Sequence, residues 1–125
     1  MMEKGKKVYT DLDVWKEARA LANEVYNVPK MFPKDELFGL VSQMRRCAVS
    51  IASNIAESCG RNHPKESVQF FFIARGSLYE LETQIYIAFD QSYLTEVLFK
   101  ELLNKIEITR KLLSGFIKYY QQLFK

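Results

Sequence analysis

Between Leu37 and Arg61 the string LFGLVSQMRRCAVSIASNIAESCGR carries two patterns at once. Leu37, Val41, Met44, Ala48, Ile51, Ile55 and Ser58 step by four and three, which on a helix makes one apolar and small-residue seam facing partner helices. Beside it, Gln43, Arg46, Ser50, Asn54, Glu57 and Arg61 form a polar stripe. The seam calls for a helical bundle. The stripe is open to three readings: solvated surface, a polar network between helices, or a binding face.

The same stepping recurs along the chain. Val14, Ala18, Leu21, Val25 and Val28 mark a first helix that follows capping and acidic residues at Thr10 to Asp13 and should weaken at Pro29. The second helix is expected to open near Pro33 with Asp35 and Glu36 in its first turn, carry Gly39 inside it, and close at Gly60. Ser67, Phe71, Ala74, Leu78, Leu81, Ile85 and Ala88 form the seam of a third helix starting at Pro64 or Lys65. Thr95 caps a fourth, with Leu102, Ile106, Thr109, Leu113, Phe116, Tyr120 and Leu123 in its seam. No stretch alternates with the period of a strand. Four such segments joined by short turns predict an all-α, antiparallel up-down-up-down four-helix bundle, one domain over residues 10–125 behind a flexible basic segment at 1–9.

The seams do not use up the apolar residues. Phe72, Tyr79 and Tyr86 recur every seven residues off the core seam of the third helix. A bundle has one interior, so this row predicts an interface between copies of the chain, a homo-oligomer. The alternative is an unusually wide core face.

The charge balance excludes several classes. A formal net charge of +3 is too small for a dedicated duplex-DNA binder. Its excess lies at the ends: Lys4, Lys6 and Lys7 stand against Glu3, and residues 96–125 hold six basic side chains to three acidic. Cys47 and Cys59 lie more than three turns apart on one helix, so they cannot pair with each other; both are expected reduced, in a cytoplasmic protein. No apolar run reaches membrane-spanning length.

Catalytic chemistry finds no footing. A bundle metal pair needs two Glu-x-x-His units, and the one histidine, His63, sits in a turn. Neither cysteine has a visible base, Glu80 and Glu82 point to different helix faces, and no glycine-rich phosphate loop is present. The expectation is a non-enzyme without metal or cofactor. Asn54, Glu57, Arg75 and Glu82 are expected to pair between helices, because an unpaired buried charge is costly. Arg45, Arg46 and Arg61 are the candidates for phosphate contact, since guanidinium forks suit phosphates.

The strings S-I-x-S-N-I-A-E-x-x-G-R at Ser50–Arg61 and G-S-L-x-E-L-E-T-Q at Gly76–Gln84, with DLDVWKEARALANEVY before them, resemble the bacterial intervening-sequence proteins of 23S ribosomal RNA genes. The resemblance runs from about Asp11 to the C-terminus. It implies a four-helix bundle that assembles as a homopentamer, and it extends to the accessory variability protein of diversity-generating retroelements. That relation implies RNA or a reverse transcriptase as partner, with phosphates near Arg45, Arg46, Arg61 and the basic chain ends. The function so implied is a nucleic-acid or ribonucleoprotein accessory. The alternative is a protein-binding scaffold whose aromatic row docks a partner helix.

Overall fold

The computed structural model describes residues 8–124. The flexible segment expected at 1–9 falls outside the described residues up to residue 7, and Tyr9–Asp11 already form a 3-10 turn. The elements that follow are α1 (Asp13–Asn27), α2 (Leu40–Cys59), α3 (Pro64–Asp90) and α4 (Glu96–Gln122), with no strand among the described residues. α1 packs on α2 and α4, and α3 packs on the same two, so the helices form an antiparallel four-helix bundle with α1 and α3 on one diagonal.

The stepping in the sequence maps directly onto the interior of α1 and α3. Val14, Ala18, Leu21, Val25 and Val28 are all buried, and so is every seam residue of α3 from Ser67 to Ala88. On α4 the buried row is Leu102, Ile106, Thr109, Leu113 and Ile117, so its last step is four rather than three. A straight helix of 3.6 residues per turn drifts by about 20° per heptad, and by the fourth turn Ile117 has replaced Phe116 against the core. Phe116 and Tyr120 instead lie half-buried on Phe71, with ring centroids 6.0 and 5.1 Å away. Leu123, expected in the seam, is exposed.

The start of α2 differs from expectation. A 3-10 turn at Lys34–Glu36 precedes it, and the helix begins at Leu40 with Gly39 as its N-cap residue. The Glu36 carboxylate accepts from the Leu40 N–H at 3.2 Å, satisfying one of the free donors of the first turn. A Cβ at Gly39 would stand 2.9 Å from that carboxylate oxygen, so glycine here serves the cap rather than a helix interior. Glu36 also accepts from the Tyr93 hydroxyl at 2.9 Å, tying the α3–α4 turn to this connection. That bond, with desolvation behind it, pushes the Tyr93 phenol above the ordinary tyrosine range. In consequence Leu37 is 48% exposed and Phe38 91% exposed, outside the seam that was to contain Leu37.

α3 ends in a Schellman turn. The Tyr93 N–H donates to Ala88 O and the Ser92 N–H to Phe89 O, each at 2.9 Å, with Ser92 at φ 65°. A side chain in the left-handed region is disfavoured, so Ser92→Gly is expected to stabilise the chain by about 0.5–1 kcal/mol after glycine's extra chain entropy is deducted. Urea titration reads this as a higher midpoint at unchanged slope. An unmoved midpoint would mean that Ser92 is held by contacts other than the turn itself. Thr95 caps α4 as expected, its hydroxyl accepting from Leu98 N–H at 3.2 Å.

Candidate interaction surface

The polar stripe of α2 resolves into three environments. Near its middle, Asn54 Nδ2 donates to Ser50 O at 2.8 Å and to Ser50 Oγ at 3.0 Å, and Ser50 Oγ meets Ser77 Oγ of α3 at 2.9 Å. Asn54 thus stays on its own helix and steadies Ser50, which makes the bond to α3. Beside the stripe, near its start, the buried Cys47 thiol donates to Glu80 Oε2 at 3.7 Å and accepts from Gln84 Nε2 at 3.4 Å. Burial first of all pushes this thiol upward, and burial does the same for Cys59. Both stay protonated near neutral pH and are poor nucleophiles.

At the far end of the stripe Glu57 pairs with Arg61, four residues on, and with no other helix. The Arg61 guanidinium lies 4.4 Å from the centroid of Phe70. Arg75 does not meet Glu57 or Glu82; its guanidinium covers Phe72 at 4.9 Å. Glu82 instead faces Arg110 of α4 at 3.5 Å, and Arg110 also pairs with Glu107. Of the four residues expected to form one interhelical network, Glu82 alone pairs with a neighbouring helix among the described residues, while Asn54 bonds Ser50 on its own helix. An arginine at i+4 and an aromatic ring at i−3 satisfied Glu57 and Arg75 locally, which is the shorter path for long side chains on exposed helix faces.

The three arginines proposed for phosphate contact do not come together. Arg61 lies past the end of α2, whose run from Arg45 to Cys59 alone spans about 21 Å at ~1.5 Å per residue. Arg45 is drawn towards α1: its guanidinium sits 4.7 Å from the centroid of Tyr26, its Nη2 donates to Tyr26 O at 3.4 Å, and its Nε is buried without a partner. Arg46 is exposed at the rim beside it.

Arg45 belongs to a surface that the sequence reading did not assemble. A shallow groove runs along the α1–α2 edge. Its one half is bounded by Tyr26, Leu37, Phe38, Arg45, Arg46 and Val49. Its other half continues over Val49 and Tyr26 to Trp15, Arg19 and Ala52. Arg19 covers Trp15 at 5.6 Å, and Tyr9 meets the same indole edge-on at 5.4 Å. No carboxylate lines either half. Among the described residues no ion pair engages Arg19, Arg45 or Arg46. Trp15, Ala22 and Tyr26 lie beside the α1 seam in the sequence, but nothing local to α1 says that α2 completes a groove with them.

The aromatic row of α3 lies on the opposite flank. Phe72 is half-buried, whereas Tyr79 and Tyr86 are exposed, Tyr79 beneath Arg110 at 5.6 Å and Tyr86 edge-on to Phe99 at 5.2 Å. Ile73 and Ile87 are exposed beside them. His63 is the N-cap residue of α3, and its side chain makes no capping bond. Among the described residues no group of three histidine, cysteine or acidic side chains is placed to hold a metal, and no helix is long and apolar enough to cross a membrane.

A family model described as 23S rRNA-intervening sequence protein matches residues 10–115. Among solved structures, a chain from Bacteroides thetaiotaomicron VPI-5482, described as a protein with unknown function from the S23 ribosomal protein family, is similar at a TM-score of 0.78. It is 23% identical over 84% of this chain and 98% of that one, a likeness that speaks for the fold. No curated protein matches the chain.

Proposed function

The chain belongs to the 23S rRNA-intervening sequence protein family, and from that premise we propose that it is a non-catalytic, cytoplasmic homo-oligomer, a homopentamer, that serves as an accessory to RNA or to a protein acting on it. The observation that carries this reading is unmatched positive charge. Glu57, Glu82, Glu107, Glu96 and Glu24 each face a cation, while Arg19, Arg45 and Arg46 cluster at one edge with no carboxylate beside them. Arg46, exposed at the rim, is the residue best placed to meet a phosphate. One such contact per chain is weak. Repeated around a ring, it adds up through effective concentration and summed potential.

The test is binding of a fluorescently labelled single-stranded RNA to nuclease-treated protein over a range of salt. Five phosphate contacts at about 0.7 each give a slope of log K on log salt of roughly −3.5. Arg46→Glu should flatten that slope; a variant that keeps its RNA binding but loses the oligomer would make Arg46 an interface residue instead. Undetectable binding, or binding indifferent to salt, would remove the nucleic-acid part of the reading. The exposed Tyr79 and Tyr86 favour a second reading, a scaffold for other proteins.

A further inference from the structure

Two surfaces of the bundle are left without a partner, and their chemistry is complementary. The α1–α2 groove has an aromatic and aliphatic lining of Trp15, Tyr26 and Val49, arginines along it, and no acid. Phe38 projects at its end, almost wholly in solvent. The outer face of α3 exposes Ile73, Tyr79, Tyr86 and Ile87; from Tyr79 to Asp90 the helix itself carries Glu80, Glu82 and Asp90, and with Glu82 already paired to Arg110 of α4, whose guanidinium lies on Tyr79, the carboxylates left there without an ion pair among the described residues are Glu80 and Asp90.

We propose that the α1–α2 groove of one copy receives the outer face of α3 from a second copy, so that chains join head to tail. This rests on the oligomeric part of the function proposed above and adds the two surfaces that meet. α1 and α3 lie on a diagonal of the bundle, so one molecule cannot bring its own groove and its own α3 face together. Two-fold pairing of like surfaces is also disfavoured. Groove against groove sets Arg45 and Arg19 against their own copies, and face against face does the same with Glu80 and Asp90; like charges brought together at an interface are costly. Groove against face instead covers the apolar residues of both and brings arginines to carboxylates. A contact between two different surfaces of one chain repeats around an axis and either closes a ring or grows into a filament.

The experiment uses two surface variants of the full chain, Val49→Asp in the groove and Ile87→Arg on α3, with circular dichroism confirming the fold of each. Phe38→Ser and Tyr86→Lys are the second pair should either first variant fail to fold. Sedimentation velocity at high micromolar concentration should find the native chain oligomeric and each variant alone at the 14.6 kDa of one chain. Mixed in equal amounts, the two should form a dimer of one of each and nothing larger, because the mixture holds one intact groove and one intact face. If both variants keep the native mass, or if both dissociate and their mixture stays monomeric, the head-to-tail contact is wrong although the oligomer stands. A native chain that is itself monomeric removes the oligomeric reading as well. Should Val49→Asp keep the native mass but lose single-stranded RNA, the groove belongs to nucleic acid and the proposal falls.

Discussion

Phe71→Ala is expected to lower the stability of the bundle by about 3–5 kcal/mol, the usual cost of removing a fully buried aromatic side chain. The ring is wholly buried and has two half-buried aromatic neighbours on α4, Phe116 and Tyr120. Deleting it opens a cavity that those neighbours, anchored on a helix packed elsewhere by Leu113 and Ile117, can fill only in part. Domains of this size have about 5–15 kcal/mol in total, so the variant should unfold at much lower urea or populate the unfolded state outright. The native chain and the variant must be compared at one protein concentration, since assembly would add to both. A loss below about 1 kcal/mol would mean that this end of the bundle collapses freely around the gap, contrary to a core packed as described.

Ser77→Leu is the second large effect. The hydroxyls of Ser50 and Ser77 touch at 2.9 Å, so the two backbones are separated by little more than two short side chains. A leucine there would push α2 and α3 apart at a cost of about 1–3 kcal/mol, with roughly 1 kcal/mol more from the lost hydrogen bond. Ser77→Ala removes the bond and keeps the spacing, and should cost only about 1 kcal/mol. Chemical denaturation of the pair separates the two causes. Equal losses for alanine and leucine would show that the helices have room to spare.

These two sites mark what could be read from the chain and what could not. Phe71 was legible because burial on α3 follows a strict four-three alternation, and the interiors of α1 and α3 follow it throughout. Thr95 was legible because a cap is a local device. At Gly39 local reasoning failed for a definable reason: whether a glycine sits inside a helix or begins it depended on a carboxylate three residues earlier, which takes the first N–H and then Tyr93 from fifty-seven residues away. Ile117 replaced Phe116 because the helix period is not the heptad period, an error that grows with length.

The polar residues were harder still. Glu57 and Arg75 were assigned to contacts between helices, yet each found a neighbour on its own helix or just beyond its end. Their chemistry admits both outcomes, and the choice turns on which helices stand side by side. The groove was invisible for the same reason. Trp15, Tyr26, Arg45 and Val49 become one surface only when α1 is laid against α2.

Trp15 is the chain's one tryptophan, and it lies in that groove beneath a guanidinium and against Tyr9. The protein therefore carries its own optical probe at the surface in question. Excited selectively, the indole reports the wetness of the α1–α2 edge without dye or label. Concentrating the native chain should move its emission to shorter wavelength and shield it from iodide, whereas the Val49→Asp chain, left uncovered, should show no concentration dependence of colour or quenching.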